Sequence, residues 1–391
     1  MIDTVVLTLP PNKFSIVDYS YFAPNCRGLF HEPYTDFRGL PFIKCVQNPT
    51  KQDAKESNYK PRLTVIKRVS RNGFLVSLKI EFSVPKLLFG NNFEEITEKD
   101  FPKILKVLRS KLMQMRVMTS EENLRNAKVS VIHFSKNIAF TDFTTVSSIL
   151  NKIRKANFTR QLDLNSTKFR NEGAAVYFYA KSHSFVLYDK IEDLKQPKSR
   201  SVEQDKDFNL QLNIFDEIRR KEMKPLEVLR LEFRVCDTRK LKALLKEIGE
   251  DWGGETFEEL FSEKISKKML LNFWEKIWHS LKTILLTEIS PVQIFERIIK
   301  SKKITPQAAL ALFSFSQILN LEGARQMRRV FEKRFSDRTF SRFLKKFEEI
   351  EFPALEIWEP FRKIEQDVQD FYPFRMKNFQ NYDLEGLLKK V

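Results

Sequence analysis

The sequence predicts an α+β fold, an antiparallel sheet with helices on one face followed by an all-α region. Three observations carry this. Period-two apolar segments alternate with helical stripes as far as Val235, and beyond Val235 every periodic segment reads as helix. Hydrophobic residues make up 42%, 36 of them Phe, which supplies a real core although 30% of the chain is charged. A chain of 391 residues is expected to form two units, 1–245 and 246–391, with the boundary falling between Val235 and Glu255.

The opening Val5-Val6-Leu7-Thr8-Leu9 is a strand ended by Pro10-Pro11. Cys26 to Lys60, with scattered Pro, Asn and Gly, reads as loop. Strands over Arg62 to Val69 and Phe74 to Val84 flank Ser70-Arg71-Asn72-Gly73, where Asn-Gly suits a hairpin because both residues tolerate positive φ. Asp100 as N-cap and Pro102 in the first turn open a helix over Phe101 to Met118, with Ile104, Leu105, Leu108, Leu112 and Met115 on one stripe. A strand over Val129 to Lys136 and a helix over Phe143 to Ala156 follow, then strands over Ala174 to Ala180 and Ser184 to Lys190. Gln196 to Phe208 is polar and reads as a surface connection with a helix after it; Leu226 to Val235 is the last strand. Helices are expected over Arg239 to Ile248, Lys264 to Leu286, Pro291 to Ser301, Thr305 to Leu319, Gly323 to Phe335 and Asp337 to Ile350.

Lys and Arg number 68 against 51 Asp and Glu, a net charge of +17 spread along the chain, which suits a polyanionic partner as well as a solvated basic surface. Three separated cysteines suggest neither a disulfide framework nor a metal knuckle, so a reducing, cytoplasmic setting is expected. The start shows no export signal, and the apolar stretch near Ala308 to Leu319 is too short to span a bilayer, so no membrane association is expected. Phosphate-binding loops, GxSxG and HExxH are absent, and four histidines form no His-x-His pair.

Three strand segments carry candidate chemistry. On Val186-Leu187-Tyr188-Asp189-Lys190 a period of two places Tyr188 and Lys190 on one face, where phenol and ammonium could meet one phosphate; the alternative is a packed tyrosine beside a solvated lysine. His133, within Val129 to Ser135, shares a face with Val129 and Val131 and needs a polar partner. Glu81 and Glu232 stand in strands otherwise suited to burial. Were the two acids and the imidazole to converge, they would suit Mg²⁺ or Mn²⁺; pairing of Glu232 with an arginine is the structural alternative.

At these segments the chain resembles the gene II replication proteins of filamentous phages, a family of rolling-circle initiators. The resemblance is carried by Met1-Ile2-Asp3-Thr4-Val5-Val6-Leu7-Thr8-Leu9-Pro10, by Ser83-Val84-Pro85-Lys86-Leu87-Leu88-Phe89-Gly90-Asn91-Asn92, and by Val186-Leu187-Tyr188-Asp189-Lys190. It continues in Arg230-Leu231-Glu232-Phe233-Arg234, Lys240-Leu241-Lys242, Ile304-Thr305-Pro306 and Thr339-Phe340-Ser341-Arg342-Phe343. The Tyr-Asp-Lys strand followed by Leu-Arg-Leu-Glu is also similar to plasmid initiators of the Rep_trans type. The resemblance implies a nuclease domain that nicks and rejoins DNA, with Tyr188 as nucleophile, Lys190 assisting, and Glu81, His133 and Glu232 as ligands of Mg²⁺ or Mn²⁺. It further implies origin DNA, double- and single-stranded, as partner, together with a host helicase and polymerase. His133 departs from the aspartate of the coliphage members, which leaves the ligand set open.

Between Arg325 and Lys346 nine Lys/Arg face two acids. Arg325, Arg328, Arg329, Arg338, Arg342 and Lys345 are the candidate DNA-binding residues of a helix-turn-helix-like, all-α DNA-binding domain, with Ser336 capping a helix that would enter a major groove. A solvated basic face is the plain alternative. Two other functions fit the composition: a non-catalytic, sequence-specific DNA-binding protein, and an RNA-binding sheet displaying Tyr177 and Phe178.

Overall fold

The computed structural model describes residues 1–31, 42–56, 58–70, 73–154, 168–170, 174–195, 226–250, 255–281, 290–301, 304–331, 333–350, 358–376 and 378. Its strands are β1 (Ile2–Leu9), β2 (Ser15–Ile16), β3 (Phe42–Gln47), β4 (Arg62–Ser70), β5 (Gly73–Ser83), β6 (Val117–Met118), β7 (Lys128–Phe140), β8 (Lys168–Arg170), β9 (Ala175–Tyr179), β10 (His183–Asp189) and β11 (Glu227–Val235). Nine of them form one sheet in the order β3-β4-β5-β1-β7-β11-β10-β9-β8, antiparallel throughout; β2 and β6 pair separately. The fold is therefore mixed α+β with a large antiparallel sheet. Amino-terminal β1 is the fourth of the nine, beside central β7, so chain contacts of long sequence separation hold the middle together.

Alternation sorts the central strands onto two faces. One face carries Val5 and Leu7 of β1, Ile80 and Phe82 of β5, Ile132 and Phe134 of β7, Leu231 and Phe233 of β11, and Phe185 and Leu187 of β10, all buried in one core. Helices cover this face. Helix Phe101–Gln114 contributes Ile104, Leu105, Leu108 and Leu112, and helix Val146–Ile153 contributes Val146, Ile149, Leu150 and Ile153. Helix Glu263–Leu281 packs on β7 and β11, where Phe273 sits 3.9 Å from Phe233 and stacks on Phe185, ring centroids 5.6 Å apart. The other face carries the polar side chains and the candidate site.

Several expected boundaries shift for identifiable reasons. The Cys26 to Lys60 region contains edge strand β3 and the short helices Gly28–His31 and Lys51–Lys55. Paired with β4, β3 buries Cys45 and Gln47, a sparse pattern that loop-like composition masks. The first long helix stops at Gln114, because Arg116 takes a positive φ and turns the chain into β6. The next begins at Val146 with Thr145 as cap, the positive φ of Phe143 excluding an earlier start. Tyr188's strand ends at Asp189, whose carboxylate accepts from the backbone N–H groups of Ile191 and Glu192 and starts helix Lys190–Lys195. The expected connection over Gln196 to Phe208 lies outside the described residues, as do Arg71 and Asn72 of the hairpin turn.

Past 245, helix Glu263–Leu281 covers the sheet and helix Glu359–Asp370 packs against both that helix and β7. Helices Pro291–Lys300, Pro306–Phe331 and Asp337–Glu348 pack in succession on one another. Thr305 caps the middle one, its Oγ1 accepting from the Ala308 backbone N–H, and Pro306 is its first residue. Gly323 interrupts it with φ 82 and ψ 159, a conformation essentially restricted to glycine, which divides it into two rods where two helices, Thr305 to Leu319 and Gly323 to Phe335, are expected. Among the described residues, no helix is long and apolar enough to cross a membrane.

Candidate active site on the polar face of the sheet

Register brings the candidate residues together. On β11 the residues Arg230, Glu232 and Arg234 alternate onto the polar face, opposite Asn137, Ser135 and His133 of β7 on one side and Tyr188, Val186 and Ser184 of β10 on the other. His133 is in turn opposite Thr4 of β1. The His133 Nδ1 lies 3.2 Å from Glu232 Oε1, and the Tyr188 hydroxyl donates to Glu232 Oε2 at 3.3 Å. Nucleophile candidate, imidazole and carboxylate thus occupy three adjacent strands.

The second acid is Asp3, not Glu81. Ligand atoms of Asp3, His133 and Glu232 lie within 4.8 Å of one another. Ile2 pairs with Phe134 and Thr4 with His133, so Asp3 is the extra residue of a bulge. In a regular strand Asp3 would alternate into the apolar core with Val5; the bulge turns its carboxylate towards Arg230 Nη2, which donates to Asp3 Oδ1. Glu81 shares the polar face but sits opposite Val6 and Arg62, two strands and two residues from His133, a separation of about 12 Å from strand spacing and rise. Its side chain is exposed and stands outside the cluster.

Arginines organise this centre. Arg230, fully buried, donates to Asp3, Ser135 Oγ, Asn137 Oδ1 and the carbonyl of Asn92, which fixes Asp3 against the sheet. Arg234 grips Glu232 with two hydrogen bonds, Nε to Oε1 at 2.9 Å and Nη2 to Oε2 at 3.1 Å. The arginine pairing expected as the structural alternative for Glu232 is therefore present beside His133. Arg230-x-Glu232-x-Arg234 is a period-two charge pattern within an apolar strand, and that signal identifies both arginines from sequence; Asp3 gave only the lesser signal of one acid in an apolar run.

Burial and charge set the proton affinities. Burial of Glu232 works upward but is outweighed by Arg234 and by the His133 hydrogen bond, leaving its carboxyl well below the usual range. For His133 burial works downward, and hydrogen bonds with Cys236 and Glu232 reverse this to about 9. Asp3 is likewise held low, the cost of burial being overcome by Arg230. Burial pushes the Tyr188 phenol well above 10. Two carboxylates against two guanidiniums and an imidazolium leave a surplus of positive charge facing Tyr188, suited to an anionic phosphate.

The two carboxylates are hard oxygen donors that suit Mg²⁺ or Mn²⁺ and the imidazole is a softer, borderline donor, so the set could hold either ion with waters completing the shell. His133 would have to release its proton to become a ligand.

Lys190 no longer shares a strand with Tyr188, yet its Nζ lies 5.7 Å from the centroid of the Tyr188 ring and 5.6 Å from that of Phe93. Burial, then the charge of Arg230, lowers its ammonium to about 7. Between pH 7 and 10.5 the folded state therefore binds fewer protons than the unfolded one, and stability rises with pH across that window. Lys190→Met is expected to stabilise the fold at pH 6 by roughly 3–5 kcal/mol and to flatten the rise. Thermal unfolding followed from pH 6 to 10 checks this; an unaltered pH profile would show that Lys190 keeps its proton in the fold.

The helical candidates divide. Arg338, Arg342 and Lys345 are exposed along one side of helix Asp337–Glu348, while Phe340 and Phe347 bury its other side. Arg328 is half-buried, and the side chains of Arg325 and Arg329 lie outside the described residues. Ser336 stands at the N-cap position, its hydroxyl 3.1 Å from that of Thr339.

No known family, no curated protein and no solved structure matches this chain.

Proposed function

We propose that this chain is a rolling-circle replication initiator, a metal-dependent enzyme that nicks one DNA strand and later rejoins it through Tyr188. The observation that carries the reading is the Asp3, His133 and Glu232 cluster with the Tyr188 hydroxyl bonded to one of its carboxylates. A bound Mg²⁺ or Mn²⁺ would polarise the scissile phosphate and stabilise the phenolate. The Tyr188 oxygen attacks phosphorus, the bond to the 3′ oxygen breaks, and the products are a 5′-phosphotyrosine and a 3′-hydroxyl. Glu232, with its low proton affinity, is a poor base; Lys190, part-neutral near pH 7, is the better acceptor for the phenol proton. The 3′-hydroxyl takes a proton from solvent and serves as a primer for a host polymerase behind a host helicase. Reverse attack by a 3′-hydroxyl releases Tyr188 and closes the circle.

The test is incubation of supercoiled origin-bearing DNA with Mg²⁺ or Mn²⁺, read as open circles and a covalent protein–DNA adduct. EDTA is expected to stop both. Duplex binding without nicking under every metal condition would replace this reading by a non-catalytic DNA-binding one.

In this reading the exposed basic side of helix Asp337–Glu348 recognises the origin duplex. Arg338→Ala with Arg342→Ala is expected to weaken origin binding by about 1–3 kcal/mol for each base-reading arginine and to relax sequence preference. Competition with random duplex at fixed salt checks this. Equal losses on both DNAs would assign these arginines to phosphates alone.

A further inference from the structure

Beside the cleavage cluster, the polar face continues onto β9. Tyr177 is opposite Val186 and Tyr179 opposite Ser184, so both tyrosines rise on the side that carries Tyr188, Glu232 and Arg234. Both are half-buried. Their rings are nearly parallel, 11° between planes with centroids 5.7 Å apart, and the Arg234 guanidinium lies 6.0 Å from the Tyr177 ring. Phe178 between them points to the other face and is buried in the core, so the pair is spaced by strand alternation and by a fixed backbone.

We propose that Tyr177 and Tyr179 form a stacking platform for unpaired bases of single-stranded DNA, with Arg234 at its inner edge meeting the backbone phosphate. The deduction rests on the nicking reading for its choice of DNA and deepens it by assigning the side chains on β9 that hold the unpaired strand. Three features support it. Two aligned π-faces accept any base, which suits a strand whose sequence is read elsewhere. Two strand positions separate the rings, about 6.8 Å of backbone, roughly twice the 3.4 Å step of stacked nucleotides, which suits an unstacked, extended strand. And base faces are free to stack on side chains only in an unpaired strand, which, laid over β9 and β10, brings its phosphates past Arg234 to Tyr188.

The test compares a short fluorescent oligo(dT) with an abasic oligonucleotide of the same length, which keeps the phosphates and removes the bases. The full-length protein is expected to prefer oligo(dT); Tyr177→Leu and Tyr179→Leu are each expected to lower oligo(dT) affinity between about fivefold and a hundredfold, leaving abasic affinity unchanged. Phe at either position is expected to retain the preference, which separates stacking from loss of fold, and unfolding midpoints confirm intact protein. Equal binding of the two probes by the native protein, or unchanged preference in both Leu variants, overturns the platform. Preference for oligo(rU) over oligo(dT) overturns its assignment to DNA. If the Leu variants lose the preference while the native protein nicks no DNA, the platform stands and the nicking reading falls.

Discussion

Tyr188→Phe is expected to abolish nicking and the covalent adduct, a loss on the order of 10⁴-fold or more, while leaving the fold and oligo(dT) affinity nearly intact. The two sides of this expectation come from different atoms. The ring packs among Ala175, Val186 and Tyr177 on a strand paired on both sides, and phenylalanine keeps that packing. Only the hydroxyl disappears, and with it one hydrogen bond to Glu232, which Arg234 and His133 continue to satisfy. Stability should therefore change by no more than about 1 kcal/mol. Burial also disfavours the bare phenolate, so the native enzyme is expected to form no adduct without metal at neutral pH. Denaturing electrophoresis of labelled single-stranded DNA after reaction measures the adduct directly. Persistence of an adduct in the Phe variant would move the nucleophile to another tyrosine, Tyr177 or Tyr179 first.

The face on which this chemistry stands was legible in the sequence because strand periodicity alone fixes it. Once β10, β7 and β11 are strands, Tyr188, His133 and Glu232 need only the correct register to meet, and antiparallel pairing of neighbouring strands supplies it. Asp3 was not legible, since its orientation depends on one bulge, and a bulge reverses the very alternation from which faces are read. Glu81 stands outside the cluster for the related reason that strand order, with β1 inserted between β5 and β7, is a tertiary fact; on the same face it is still displaced along and across the sheet. Lys190 illustrates a boundary effect, one residue past a strand end that Asp189 caps. The helical half was legible in its element order as far as helix Asp337–Glu348, as the Thr305 cap shows; helix Glu359–Asp370 was not expected, and how it and helix Glu263–Leu281 lie on the sheet depends on packing that periodicity does not encode.

Glu232→Gln is expected to remove metal-dependent cleavage by about 10³-fold or more and, separately, to unfix the charges around it. Arg234 and His133 both rely on this carboxylate, so the neutral amide leaves a partly buried guanidinium and imidazole without their counter-charge. Breaking such a pair from one side costs about 3–5 kcal/mol when fully buried, and less here because Arg234 and His133 retain some exposure. His133 reports the change. Its imidazole stands at about 9 in the native protein, so this group's contribution to stability is fully present below pH 6.5 and fades as pH rises through 9. In Glu232→Gln the raising influence of the carboxylate is gone, burial and Arg234 still act downward and only the Cys236 hydrogen bond still acts upward, so the pKa is expected to fall. An NMR titration of labelled His133 measures both values. Mn²⁺ would broaden that signal, so Mg²⁺ is the ion to add: in the native protein it should displace the His133 proton at neutral pH, and in the Gln variant it should not. A His133 titration unmoved by Mg²⁺ would leave the cluster as an internal ion-pair network and withdraw the metal from the proposed reaction.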